Sequence, residues 1–134
     1  MNLSQFAARI SDIGRQIETN SVQVMKEVAL VVDQAVVSAT PVDTGRAKTN
    51  WITELNQPSS RTTDIADPTG GSAISQARAT IARAGAGSVI HITNNLPYIQ
   101  RLNDGYSAQA PAGFVEQAIQ VGVDAVRRAR GLFR

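Results

Sequence analysis

The N-terminal stretch, residues 3–39, constrains the fold most, because it carries a helical pattern that no proline interrupts. Its apolar residues recur in steps of three and four. They are Leu3, Phe6, Ile10, Ile13, Ile17, Val24, Val28, Val31 and Ala35. A continuous helix of this length would measure about 54 Å, whereas a compact domain of about 100 residues is only about 26 Å across. Either the helix breaks at the polar run Thr19-Asn20-Ser21, or it projects from the body and packs on neighbouring molecules.

Beyond the first helix, the pattern predicts two strands. Pro41 should end the helix because it disfavours helical geometry at Thr40, and Gly45 permits a turn with positive φ. Residues 49–55 alternate and contain β-branched and aromatic side chains, which is typical of a strand, and residues 88–94 read the same way. Between them, residues 56–72 are rich in Pro, Gly, Ser, Thr and Asp, which predicts a long loop that is flexible or contacts a partner.

Further helices are predicted after each of these segments. Ser72 is a candidate N-cap and Gly85 a candidate C-cap of a central helix, and Asn95 is a candidate cap of a short turn. A last helix should cover residues 112–130, with an inward face made of Val115, Ala118, Ile119, Gly122, Val126 and Ala129. The chain, residues 1–134, is therefore expected to be a single α+β domain. A long N-terminal helix, a small antiparallel sheet, a central helix and a C-terminal helix would pack together.

The composition of the chain limits the classes of function that it can have. The chain is 43% hydrophobic but only 4% aromatic, so Ala, Val and Ile must carry the burial. We hypothesise that other copies of the chain complete part of it. A net charge of +2 is too mild to indicate nucleic-acid binding by the whole domain. The absence of cysteine excludes disulfides and thiolate metal sites. No apolar run approaches the roughly 20 residues of a membrane span, and the N-terminus lacks signal-peptide character, so we expect synthesis in a cytosol and no membrane partner.

Asp43-Thr44-Gly45 matches the active-site triplet of aspartic proteases. Such an enzyme needs two of these aspartates sharing one proton. Here the triplet directly follows a helical pattern, and Arg46 would favour ionised carboxylates. We therefore interpret the triplet as a structural turn, in which Asp43 accepts hydrogen bonds from local backbone N–H groups. No catalytic residue is assigned, and a protease-like enzyme using this triplet is kept as an alternative.

Cofactor and metal signals are weak. His91 is the only histidine and lies in the middle of a predicted strand, and one histidine makes no zinc site. No phosphate-binding glycine motif is present. Asp64 and Asp67 lie in the long loop, but two carboxylates alone are a weak indication of a cation site. No cofactor or metal is expected.

Basic residues cluster at the C-terminus, at Arg127, Arg128, Arg130 and Arg134. They suit the negative end of a helix dipole. In a ring of copies they would instead form a basic surface that contacts DNA phosphates. A small DNA-binding protein that uses these arginines is therefore a further alternative.

Two stretches resemble a known family: ATPVDTGRAKTNW, residues 39–51, and NNLPYIQRLNDGYSAQAPAGFVEQAI, residues 94–119. They are similar to the paired signatures of the tail-completion or neck proteins of long-tailed bacteriophages, the minor tail protein Z-like group. The second signature is carried by Tyr98, Leu102, Gly105, Ser107, Gln109, Ala110, Pro111 and Gly113. One departure is Asn103, where relatives often have glutamate, and which Asp104 follows.

The resemblance implies a structural virion protein at the head–tail junction, made in the host bacterial cytoplasm. It would assemble as a homo-oligomeric ring of six or twelve copies that joins the capsid connector to the tail and lets DNA pass. Its neighbours would be head-connector and tail-tube or tail-terminator proteins. We expect subunit or partner contacts at Trp51, Tyr98, Asp104, Gln109 and Pro111. DNA-facing positions would be Arg127, Arg128, Arg130 and Arg134.

Overall fold

The computed structural model describes residues 2–105, 107, 109 and 112–129. Within these residues the fold is α+β, as the sequence predicts, with five helices and one antiparallel sheet of two strands. The elements in chain order are α1 (Leu3–Ala39), α2 (Arg46–Thr49), β1 (Ile52–Leu55), α3 (Gly71–Ala82), β2 (Ile90–Thr93), α4 (Ile99–Asn103) and α5 (Phe114–Ala129).

Helix α1 is continuous over 37 residues, so the expected weak point does not break it. The hydroxyls of Thr19 and Ser21 donate hydrogen bonds of 2.9 and 3.0 Å to the carbonyl oxygens four residues earlier. These bonds satisfy the polar side chains within helical geometry. At its start, the Asn2 side chain accepts from the Gln5 N–H while the Gln5 side chain accepts from the Asn2 N–H, which forms a capping box.

The two halves of α1 have different surroundings. Residues 2–19 are exposed throughout, whereas the second half buries Asp33, Val36 and Val37. The first half therefore extends beyond the body of the domain. Its apolar side chains form one uncovered row, called here the projecting stripe, whose members are 46 to 83% exposed. The projecting stripe consists of Leu3, Phe6, Ile10, Ile13 and Ile17.

The core lies where the second half of α1 meets α3, α5 and the start of β1. Its buried cluster consists of Val36, Val37, Trp51, Ala73, Phe114 and Ala118. On α5, Gly122 is necessary for this packing, because a Cβ there would overlap the side chain of Val32. The predicted inward face of α5 needs correction. Phe114 is 1% exposed and was not predicted, whereas Ile119 was predicted inward and is 53% exposed.

The sheet is shorter than predicted. Strands β1 and β2 pair antiparallel from Ile52 opposite Thr93 to Leu55 opposite Ile90, which places His91 opposite Glu54. The predicted first strand began at Thr49, but this residue ends α2, and its N–H donates to Gly45 O at 3.1 Å. The turn at Gly45 therefore continues into a helical turn before the strand begins.

The ends of the later helices also differ slightly from the prediction. Helix α3 begins at Gly71 and is capped by Gly70 instead of Ser72, and its C-cap is Arg83 instead of Gly85. Helix α4 begins at Ile99 and α5 at Phe114. Among the described residues, no helix combines the length and apolar character needed to cross a membrane.

Candidate functional site

The two stretches that carry the family resemblance meet in space. They line one cleft of about 300 Å³, called here the motif cleft. Its walls are Pro41, Val42, Asp43, Thr44, Gly45, Ala47, Tyr98, Leu102, Ser107 and Gln109. The lining mixes apolar side chains with polar ones, including the exposed Asp43 carboxylate, which suits contact with a protein segment that offers both apolar and polar groups.

Gln109 joins the two sides of the cleft. Its Oε1 accepts from the Val42 N–H at 2.7 Å, and its Nε2 donates to Val42 O at 2.6 Å. The side-chain amide thus pairs with the backbone of one residue as a neighbouring strand would. Since both polar groups of Val42 are satisfied this way, the turn after α1 is held against the second motif.

The turn after α1 follows the prediction in its backbone. Thr40 is extended, with φ −67° and ψ 129°, as a residue before proline should be. Gly45 has φ +94°, and a Cβ there would overlap the backbone of Asp67 and Pro68, so two independent constraints require glycine.

The side chains of this turn differ from the prediction. The Asp43 carboxylate is exposed and forms no hydrogen bond with the described residues, whereas Thr44 Oγ1 accepts from the Arg46 N–H at 3.3 Å. Thr44 therefore takes the role predicted for Asp43. The triplet lies between helices α1 and α2, whereas the aspartic-protease alternative requires a loop between strands.

Buried polar side chains anchor the end of α1 beneath the cleft. Lys48 Nζ donates to the carbonyl oxygens of Val37 at 2.8 Å and Ser38 at 3.0 Å, and burial lowers the pKa of its ammonium group. Trp51 Nε1 donates to Thr40 Oγ1 at 2.8 Å. The two Lys48 bonds give the last carbonyls of α1 a charged donor, and the Trp51 bond holds the hydroxyl of the C-cap residue Thr40. Sequence reasoning missed Lys48, although a lysine inside a short helical turn after a C-terminal stop suits this capping position.

Trp51 lies inside the domain. It is 7% exposed and belongs to the core cluster, so a contribution to subunit contacts would act through the turn that it supports.

The segment from Asn56 to Gly70 has no regular structure but is tied to the body at several points. The Asn50 side chain accepts from the Thr63 N–H and donates to Thr63 O, both at 2.9 Å. Arg46 donates from Nε to the same oxygen at 3.2 Å, and its guanidinium lies 3.3 Å from the Asp64 carboxylate. Arg46, which lies between the cleft residues Gly45 and Ala47, therefore ties the segment to the turn that lines the cleft.

The two loop carboxylates have structural partners. Asp64 pairs with Arg46. Asp67 accepts from the Thr69 hydroxyl and from the N–H groups of Thr69 and Ser72, and the pKa of Asp67 falls to about 2, chiefly through the Thr69 hydroxyl. Asp67 therefore satisfies an N–H group in the first turn of α3, although Gly70 holds the N-cap position. In the part of the chain that the structure describes, no three His, Cys, Asp or Glu side chains are grouped to hold a metal ion.

Asn103, the position that departs from the family pattern, joins α4 to α5. Its Oδ1 accepts from the Val115 N–H at 3.0 Å, its Nδ2 lies 3.0 Å from both oxygens of Glu116, and its carbonyl accepts from the Gly113 N–H at 2.7 Å. The side chain thus satisfies a free N–H at the start of α5, as an N-cap residue would.

The remaining predicted site residues divide into three groups. Tyr98 is 38% exposed and lines the motif cleft together with Gln109, whereas Asp104 lies outside it and accepts from Gln100 Nε2 at 3.1 Å. Arg127 and Arg128 are exposed on the last turn of α5. Pro111, Arg130 and Arg134 lie outside the described residues.

Sequence reasoning also missed Asp33. It is fully buried in the second half of α1, and neither carboxylate oxygen has a hydrogen-bond partner among the described residues. Desolvation raises the pKa of this carboxyl from 3.8 to about 7. The sequence does contain a signal for this buried carboxyl, since Asp33 is an acidic residue four positions before Val37 on a helix face that is otherwise apolar.

Comparison of the chain with protein-family models gives no match. Comparisons with curated proteins and with solved structures also give none.

Proposed function

We propose that this chain is a structural virion protein of the phage head–tail junction, which assembles with copies of itself into a ring. The observation that carries self-association is the projecting stripe. Full burial of one large aliphatic or aromatic side chain contributes about 1.5–3 kcal/mol. Since these five side chains are already partly covered, a partner would gain roughly half of that for each. A helix that exposes such a row outside its own domain is suited to an interface.

The place of assembly is inferred from the two motifs. The resemblance assigns them to neck and tail-completion proteins, and support comes from their meeting in one cleft joined by Gln109 and Val42. In our proposal the motif cleft contacts a neighbouring subunit or a junction partner through Tyr98 and Asp43. A contact surface made from both signatures accounts for their occurring together in one chain.

DNA passage is proposed through the basic end of α5. Arg127 and Arg128 are exposed there, and Arg127 is only loosely paired, 3.9 Å from Asp124. In a ring these side chains would repeat around one axis, which multiplies a contact that is weak for a single chain. DNA affinity of the assembled form should fall steeply as salt rises, because phosphate contacts release counterions.

The first test is the mass of the purified chain by light scattering across a concentration series, with negative-stain imaging of the largest species. We expect concentration-dependent growth to a closed ring and a matching copy number in purified phage particles. A chain that stays monomeric at all concentrations and is absent from particles would overturn the proposal.

A further inference from the structure

A second uncovered apolar surface lies between the second half of α1 and strand β2. It is an open groove of about 560 Å³, called here the α1–β2 groove. Its apolar walls are Val24, Met25, Val28, Val32, Ile90 and Ile92. No described part of the chain fills it, so its occupant must be sought elsewhere.

The groove and the projecting stripe have similar lengths. The α1 side of the groove runs from Ser21 to Val32, about 16 Å at 1.5 Å per residue. The first four members of the stripe run from Leu3 to Ile13, about 15 Å by the same measure. Stripe and groove belong to one continuous helix, so the stripe cannot fold back into the groove of its own chain. Only a second copy can bring the two together.

Gly14 provides an independent observation. It lies in the exposed half of α1, where a Cβ would meet no atom within 4 Å. Glycine in a helix interior is destabilising relative to alanine, and no contact among the described residues requires it here. Ala7 and Ser21 lie seven residues to either side, so small residues repeat along one flank of the stripe. Such a flank allows another backbone to approach closely.

We propose that the α1–β2 groove binds the projecting stripe of a second copy of this chain. This inference rests on the proposed function in one respect, namely that copies of the chain associate. It adds which two surfaces meet. Covering half the lateral surface of a helix about 11 Å wide over the roughly 16 Å length of the groove buries about 280 Å² on the stripe, or about 550 Å² over both partners. This area is below the roughly 1,000 Å² of a specific interface. One such contact is weak alone, and repetition around a closed assembly would strengthen it.

Disulfide cross-linking tests whether the projecting stripe binds the α1–β2 groove. Because the chain has no cysteine, every disulfide must come from the introduced residues. Chains carrying Phe6→Cys, Ile10→Cys or Ile13→Cys are each mixed with chains carrying Met25→Cys or Val28→Cys and oxidised. At least one stripe–groove pair should give covalent heterodimers in high yield. Ala8→Cys is the matched control, since this exposed residue lies on the opposite face of the same helix. If no pair exceeds the Ala8→Cys control, the groove has another occupant and the inference is overturned.

A charge substitution gives a second readout that does not depend on disulfide geometry. Ile10→Asp should weaken self-association by about tenfold or more, because it removes a large apolar side chain from the contact and would place an unpaired charge there. Ala8→Asp introduces the same charge on the opposite face and should leave association unchanged. Both positions lie outside the core, so the fluorescence of the single tryptophan, Trp51, should report an intact fold. Equal association of the two variants would contradict the inference.

The outcomes also separate this inference from the proposed function. A chain carrying a stripe cysteine and a groove cysteine should form a covalent ladder that ends at the ring if each copy binds the next. Covalent dimers alone would support the stripe–groove contact but contradict a ring. Rings that form without any stripe–groove cross-link would overturn the contact and leave the proposed function standing.

Discussion

The side-chain amide of Gln109 is hydrogen-bonded to both backbone polar groups of Val42, at 2.7 and 2.6 Å, across 67 positions of sequence. This pair brings together the two stretches that resemble the neck-protein signatures. It also leaves no free backbone hydrogen-bonding group at Val42 for a partner to use. The pair therefore fixes the turn after α1 against the second stretch.

Gln109→Ala should loosen the motif cleft. Each of the two hydrogen bonds contributes about 0.5–1.5 kcal/mol, so the free energy of unfolding should fall by about 1–3 kcal/mol. Urea denaturation measures this change. Gln57→Ala is the control, because Gln57 is exposed in the irregular segment and its side chain has no hydrogen bond to the described residues. Equal stability of the two variants would show that the pair does not hold the cleft.

Gly45→Ala should destabilise the domain by about 2 kcal/mol or more, because it combines strain at positive φ with overlap against the Asp67–Pro68 backbone. Gly85→Ala is the matched control, since a Cβ there meets no atom within 4 Å and the residue has no positive φ. Thermal unfolding of both variants distinguishes the two sites. A Gly45→Ala protein as stable as the Gly85→Ala protein would contradict the described turn.

Trp51 should stabilise the fold in two ways, through burial of its ring and through its hydrogen bond to Thr40. Trp51→Ala removes a buried ring and should cost about 3–5 kcal/mol. Trp51→Phe keeps much of the apolar volume but loses the hydrogen bond to Thr40, so a smaller cost of about 1–2 kcal/mol is expected. Far-ultraviolet circular dichroism during denaturation measures both. Equal stability of Trp51→Phe and the unchanged chain would mean that the Thr40 bond contributes nothing.

Asn103→Ala should destabilise the junction between α4 and α5 by about 1 kcal/mol, the usual cost of losing an N-cap side chain. Asn103→Glu should cost more, because it places a second carboxylate beside Glu116. Adding Glu116→Gln to Asn103→Glu should recover part of that loss. A double variant no more stable than Asn103→Glu would exclude charge repulsion as the cause.

Asp33 should make stability depend on pH. Its pKa rises from 3.8 in the unfolded chain to about 7 in the fold, so the folded state binds the proton more tightly. Its contribution to stability is fully present below about pH 4 and is lost as pH rises to about 7. Linkage sets an upper limit of about 4 kcal/mol for the loss.

The control for Asp33 is Asp33→Asn, which cannot ionise. The difference in unfolding free energy between Asp33→Asn and the unchanged chain should shift in favour of Asn as pH rises from 4 to 7. The depressed pKa of Asp67 acts only below pH 4 and falls outside this window. A difference that stays constant with pH would show that Asp33 does not titrate in this range.

Local physical chemistry made much of the fold predictable. The apolar steps of residues 3–39 are a property of the helix repeat, and the stop at Pro41 and the turn at Gly45 follow from the allowed dihedrals of single residues. The α+β class, the two strands and the three larger helices were predicted for the same reason. The ends of several elements were wrong, as at Thr49, where the unpredicted helix α2 replaced the expected start of a strand. The predicted inward face of α5 was also partly wrong, because Ile119 is exposed.

The candidate site was predictable only in part. Both motifs were identified from their residues, but their meeting in one cleft depends on the fold, because Val42 and Gln109 lie on separate segments. Tyr98 and Gln109 were expected at a contact site and line the cleft, whereas Trp51 was expected there and lies in the core.

The sequence by itself determined where α1 starts and stops and which of its positions are apolar, because these properties depend on residues within a few positions of one another. Only the tertiary structure decided which of those positions are covered. The same apolar pattern is packed in the second half of α1 and exposed in the first, because α3 and α5 pack against only the second half. Burial of Asp33 and Lys48 was decided in the same way, since it depends on segments that are distant in the chain.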